Sequence, residues 1–143
     1  TLNVVDVIEL TMDIFNEEYV HFKAEEAVII SKIDRTQLIR IITNLVKNAI
    51  QAFPENQQSK AVCVNVKKVL SNVIITVADN GMGIAKEDFN RVFEPKFTTK
   101  SSGMGLGLGI IKNIIENYKG TITLESQIGK GTTFTVSLPI INT

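Results

Sequence analysis

The sequence predicts an α+β fold, a two-layer sandwich. A mixed, mainly antiparallel sheet is covered on one face by about three helices. Three observations lead there. β-Branched runs come in adjacent pairs joined by short polar turns and do not alternate strictly with helices, which favours hairpins. Two long segments, starting near Asp34 and Gly105, carry apolar residues at helical spacing. All nine glycines lie at position 81 or beyond, so the first half reads as continuous regular structure and the second as elements punctuated by glycine loops. At 143 residues the chain reads as a single domain, 1–143.

In chain order, Asn3 to Asn16 carries Val4, Val7, Ile8, Leu10, Thr11 and Ile14 and reads as a helix. His21 to Lys23 and Ala27 to Ile33 read as two short strands around an acidic turn, Glu25-Glu26. Asp34 followed by Gln37 is a capping-box pattern. Behind it Leu38, Ile41, Ile42, Leu45, Ala49 and Ala52 form one apolar stripe ending near Phe53-Pro54. Ala61 to Leu70 and Val73 to Ala78 are β-branched runs joined by Ser71-Asn72. Ala85 to Phe93 reads as a short helix, and Gly105 to Tyr118 as a long one with Gly120 as its left-handed stop. Thr121 to Gln127 and Thr132 to Leu138 form a last hairpin around Gly129-Lys130-Gly131. Cys63 reads as a core residue, and Lys67-Lys68 as a charged strand edge that deters aggregation.

Composition narrows the function. With 44% hydrophobic and 21% charged residues the chain is an ordinary globule and not a disordered one. Fifteen basic residues balance fifteen acidic ones, which argues against a general electrostatic grip on nucleic acid or an anionic membrane. One cysteine excludes an intrachain disulfide and a Cys-rich zinc site. A single histidine, His21, excludes His-His metal sites and leaves a Ser-His-Asp triad one candidate. No run approaches 18 apolar residues, and Thr1-Leu2-Asn3 does not open a signal peptide. The start in mid-pattern, without an initiator Met, leads us to expect a fragment of a longer protein.

Three segments carry chemistry. Asn44 and Asn48, four apart, share the polar face of the capped helix with Lys47 and Gln51. Alone that face reads as a solvated one, but a carboxamide oxygen is a good neutral ligand for a hard cation such as Mg²⁺. Next, a β-branched run delivers Asp79 into Asn80-Gly81-Met82-Gly83-Ile84. This reads as a turn, or as a carboxylate at a strand end that accepts a hydrogen bond from an exocyclic amine such as adenine N6. In the second case Gly81 and Gly83 let the backbone approach a planar ring. Third, Ser101-Ser102-Gly103-Met104-Gly105-Leu106-Gly107-Leu108-Gly109 leads into a helix. Successive N–H groups there can face a phosphate chain, and the helix N-terminus adds favourable partial charge. Upstream, Phe93 to Lys100 supplies Lys96, Thr98, Thr99 and Lys100, so the stretch from Phe93 to Gly105 has the makings of a phosphate-covering lid. No strand immediately precedes the glycines, as a dinucleotide fold needs, and no Gly-Lys-Ser/Thr follows as in a P-loop.

Asn-x-x-x-Asn-Ala on a helix, Asp-x-Gly-x-Gly after a strand, a Phe-rich basic segment, Gly-x-Gly-Leu-Gly-Leu before a helix and Gly-Lys-Gly-Thr-Thr-Phe in a hairpin occur in this order. The order closely resembles the catalytic ATP-binding domain of sensor histidine kinases, in the superfamily shared with gyrase, Hsp90 and MutL. The resemblance covers roughly Asn3 to Leu138. Glu94-Pro95-Lys96-Phe97-Thr98-Thr99-Lys100 most resembles the nitrogen-regulation-like branch.

The resemblance implies a Bergerat-type fold that binds Mg-ATP and donates the γ-phosphoryl group to a histidine on a separate dimerisation domain, in two-component signalling. It implies Asn48 as the Mg²⁺ ligand. Asn44 stands where the ATPase branches usually hold a glutamate, and an asparagine cannot take a proton as general base. This favours transfer over hydrolysis. By the same resemblance Asp79 reads adenine, Gly81 and Gly83 make room for it, Ile84 packs near it and Thr132 supports its end. Gly103, Gly105 and Gly107 meet the phosphates, with Thr99, Leu106 and Leu108 also bordering the nucleotide. Gln51 occupies the place three after the Mg²⁺ asparagine that is basic in other branches. Lys100 is the first candidate for the γ-phosphate contact, ahead of Lys96; with Gln51 in that place, either Lys47 or Lys100 takes the role, or the γ-phosphate is held less tightly.

His21 lies in strand-like context and lacks the acidic-Arg-Pro continuation of a phosphoacceptor, so it reads as structural. The expected partners are ATP, the phosphoacceptor-histidine dimerisation domain lying N-terminal to Thr1, and a downstream response-regulator receiver domain. Nucleic acid is not among them. The expected setting is cytoplasmic, with a monomeric isolated domain and a parent that a membrane could anchor. The competing readings are a stand-alone ATPase of the gyrase, Hsp90 or MutL type, and a degenerate binding module.

Overall fold

The computed structural model describes residues 1–94 and 106–140, with Leu106 described in its backbone only. The elements are β1 (Leu2–Asn3), α1 (Val4–Met12), β2 (Val20–Ala24), β3 (Ile30–Ser31), α2 (Arg35–Gln51), β4 (Val62–Val69), β5 (Asn72–Asp79), α3 (Leu106–Asn117), β6 (Thr121–Gln127) and β7 (Gly131–Pro139). The main sheet has the order β2-β4-β5-β7-β6. Only β2 and β4 run parallel and the other neighbours are antiparallel, so the sheet is mixed and mainly antiparallel as expected.

Alternation decides which face is covered. Val62, Val64 and Val66 on β4, Val73, Ile75 and Val77 on β5, and Phe134, Val136 and Leu138 on β7 are all buried. They form one core with Val4, Val7 and Ile8 of α1, Leu38, Ile41, Ile42, Leu45 and Val46 of α2, and Leu108, Ile111 and Ile115 of α3. The period of two then puts the intervening residues on the open face. Cys63 is therefore exposed and not a core residue, beside exposed His21 in the β2–β4 register. β2 ends opposite Val66, so exposed Lys67 and Lys68 do form an unpaired edge.

The capped helix forms as its sequence dictates. The Asp34 side chain accepts from the Gln37 N–H at 3.2 Å, and the Asp34 N–H donates to the Tyr118 hydroxyl at 3.1 Å. α1 is shorter than expected, ending at Met12 in turns whose N–H groups reach back three residues.

The expected strand Ala27–Ile33 is reduced to β3, which pairs with β1 and not with β2. The cause is Asn3. Its Oδ1 caps α1 at the Val5 N–H and also accepts from the Ile29 N–H at 2.9 Å. Its Nδ2 donates to the Ala27 carbonyl, and the Val4 N–H takes the Ile29 carbonyl. The backbone of 27–29 is thereby spent on a helix cap and has little left for a ladder.

Three further expectations are corrected. The β4–β5 turn is Leu70-Ser71, one residue earlier than expected, with Leu70 left-handed at φ 55°. Ala85–Phe93 is not an α-helix. It makes two single turns of 3₁₀ helix, Lys86–Asp88 and Arg91–Phe93, without side-chain caps, and Val92 is its one buried residue. Gly120 is not the left-handed stop of α3. Lys119 takes that conformation, φ 63°, and the Gly120 N–H closes back to the Ile115 carbonyl at 2.9 Å while the Lys119 N–H reaches Glu116. This is the paired bonding of a Schellman end. Gly120 is needed for another reason: a Cβ there would strike the Ser137 carbonyl of β7.

Candidate nucleotide site

The site grows from three chain segments at one end of the sheet. The first is the second half of α2. Its apolar stripe faces the core, which leaves Asn44 and Asn48 half-buried on the flank and Lys47 exposed. Asn44 donates its Nδ2 to the Arg40 carbonyl one turn back, at 2.9 Å. That bond aims Oδ1 at α3, where a Cβ on Gly107 would lie 2.7 Å from it. Gly107 thus supports the packing of α3 on α2, a role the sequence reading did not give it. Gly107→Ala should cost about 1 kcal/mol, and adding Asn44→Ala should return most of it. A double-mutant cycle by urea unfolding reads this coupling, and additive losses would contradict the contact.

The second segment is the end of β5. Asp79 is half-buried there, and its Oδ1 accepts from the Gly81 N–H at 2.8 Å, folding the chain sharply. The loop is then tied to α2. The Met82 N–H donates to the Ala52 carbonyl at 2.9 Å, and a Cβ on Gly81 would lie 2.7 Å from that same oxygen. Ala52 is one turn beyond Asn48, so the helix carrying the two asparagines is fixed to the loop carrying Asp79. Asn80 adds a second tie: its Oδ1 accepts from the Ala61 N–H, its Nδ2 donates to the Ser59 carbonyl, and its own carbonyl accepts from Gln57 Nε2.

The third segment is the β6–β7 hairpin. Gly83, at φ 80°, backs onto the Gln127 carbonyl, and the Gly129 N–H donates to Met82. Thr132 is paired with Asp79 in register and is buried. Gly131, at φ 128°, lies so close to β5 that a Cβ would strike the Asp79 carbonyl. Ile84 is half-buried and its N–H donates to Ser126 Oγ at 2.7 Å.

Asp79, Gly81, Gly83, Ile84 and Thr132 are thus gathered at the ends of β5 and β7, and Asn44 meets Gly107 at the α2–α3 contact. Leu108 is buried in the core. Lys96, Thr99, Lys100, Gly103, Gly105 and the Leu106 side chain lie outside the described residues. The sequence reading missed Ser126, Gln57 and the Asn80 side chain. For Ser126 a signal existed: counting back across the Gly129-Lys130-Gly131 turn pairs it with Thr132.

Among the described residues no three His, Cys, Asp or Glu side chains gather into a metal cluster, and no helix is long and apolar enough to cross a membrane.

The profile of the family described as histidine kinase-, DNA gyrase B-, and HSP90-like ATPase matches residues 33–142. The chain is 40% identical over 124 residues to the sensor histidine kinase ZraS of Escherichia coli, covering 87% of this chain and 26% of that protein. It therefore spans about a quarter of that relative's length. Among solved structures, the nucleotide-free catalytic domain of histidine kinase ThkA superposes with a TM-score of 0.84 at 30% identity, covering 96% of this chain and 93% of that one. ThkA in complex with the response regulator protein TrrA superposes at 0.81 and 27% identity, over 98% of this chain and 41% of that one. The chain accordingly belongs to the histidine kinase-, DNA gyrase B- and HSP90-like ATPases, as a catalytic domain of the histidine kinase kind.

Proposed function

We propose that this chain is a single domain that holds Mg-ATP and hands its γ-phosphoryl group to a histidine on a separate dimerisation domain. A response-regulator receiver domain would then take the phosphoryl group. The observation that carries the reading is the strand-end carboxylate of Asp79, followed by glycines too tightly packed to bear side chains, in a loop that Met82 ties to the helix of Asn44 and Asn48.

The residues fit the groups implied. A carboxylate accepts hydrogen bonds at several lone-pair positions, so the Gly81 bond leaves Asp79 able to take an exocyclic amine as well. Gly83 and Ile84 border the ring. Asn48, a half-buried carboxamide, would hold a hard cation such as Mg²⁺ through its oxygen. Bound there, Mg²⁺ would neutralise charge on the phosphates. Asn44 positions without taking a proton, and phosphoryl transfer asks mainly for positioning and charge stabilisation. Lys100 is the proposed γ-phosphate contact, with Gly103, Gly105 and Gly107 near the phosphates. ThkA's recorded partner, a response regulator protein, supports a place in two-component signalling. We place the domain in the cytoplasm, where ATP is available.

The ATPase reading is tested by incubating the chain with γ-labelled ATP. The expected result is turnover no higher than background and no label on His21, the single histidine, exposed on β2. Sustained release of phosphate would instead place the chain among the hydrolysing branches.

A further inference from the structure

The Ser126 hydroxyl holds three partners at once. It accepts from the Ile84 N–H at 2.7 Å, lies 2.9 Å from the Gly131 carbonyl, and lies 2.7 Å from Thr132 Oγ1. A serine has one proton to give. The Gly131 carbonyl can only accept, so the proton goes there. The Ile84 N–H can only donate. The bond between the two hydroxyls therefore has one consistent direction: Thr132 donates to Ser126. With its proton spent, Thr132 Oγ1 offers its surroundings lone pairs alone. Thr132 stands directly across from Asp79 on the helix-covered side of the sheet.

We propose that Ser126 is a positioning residue for base selection: by fixing the direction of the Thr132 hydroxyl, it makes the base edge meet acceptors at both Asp79 and Thr132. Such an edge favours a purine with a 6-amino group and disfavours one with a 6-oxo group. A hydroxyl free to rotate would turn its proton toward the 6-oxo group and blunt that choice. Ser126 itself need not touch the nucleotide. The inference rests on the proposed nucleotide reading.

The test is calorimetric titration with ATP and with inosine triphosphate, which replaces the 6-amino group by oxygen. Ser126→Ala should reduce the ATP-over-ITP preference about fivefold, the order of one hydrogen bond. Ser126→Thr, which keeps the hydroxyl, should restore it. Thr132→Val, which removes the lone pairs, should reduce the preference similarly and serves where Ser126→Ala is too unstable to titrate. A fall in both affinities by the same factor in Ser126→Ala, or an unchanged preference in Thr132→Val, overturns the proposal. Wild-type chain that binds neither nucleotide overturns the nucleotide reading itself, and the two failures are thereby distinct.

Discussion

Asp79→Asn should lower ATP affinity by roughly 30- to 150-fold while the fold stands. The substituted amide keeps an oxygen for the Gly81 N–H, so the turn after β5 keeps that bond. Its other atom becomes an NH₂ group, which sets donor against donor where a base amine would bind. Losing a charge-assisted bond and gaining that mismatch costs about 2–3 kcal/mol, which converts to the stated range. Isothermal titration measures the affinity, and circular dichroism with urea unfolding checks the fold. Unchanged affinity would remove Asp79 from the site.

Gly131→Ala should cost about 2–6 kcal/mol of folding stability. Two effects combine. The position is held at φ 128°, and a Cβ would meet the backbone of β5, at the Asp79 carbonyl and 2.8 Å from the Asn80 Cα. Backbone strain and overpacking are each worth about 1–3 kcal/mol. Gly129, two residues away, is the internal control. It also has positive φ, 82°, but a Cβ there meets nothing within 4 Å, so Gly129→Ala should cost only about 1 kcal/mol. Because the collision falls on Asp79's own backbone, Gly131→Ala should also weaken nucleotide binding, and Gly129→Ala should not. Equal midpoints of urea unfolding for the two variants would show that the close approach of β7 to β5 is absent.

These cases show what a sequence discloses and what it hides. The Asp34 cap, the α2 stripe and the two hairpins were legible because their determinants lie within a few residues of one another. The segment 27–33 was not, because Asn3, more than twenty residues away, takes its backbone groups. Gly120 was legible as a special position, but for the wrong reason. Local rules suggest a left-handed cap, whereas contact with Ser137 of β7 demands the missing side chain. Cys63 looked like core because cysteines usually are, and alternation with Val62 and Val64 sets it outside.

In the site, Asp79, Gly81, Gly83 and Thr132 could be named from motif order, since each sits in a turn or hairpin with its own signature. Their mutual support could not. The ties through Ala52, Asn80 and Ser126 exist only once α2, β5 and β6 are brought together. Gly107 illustrates the same limit: its motif points to phosphate approach, and its Cα also faces the amide of Asn44.

The most direct measurement is titration of the chain with ATP, with and without Mg²⁺, in wild type and in Asn48→Ala. The expected result is saturable one-site binding that Mg²⁺ strengthens in the wild type, with the strengthening lost in Asn48→Ala. No heat on titration, together with no shift in unfolding temperature at millimolar ATP, would contradict the reading of this chain as the nucleotide-holding domain of a histidine kinase.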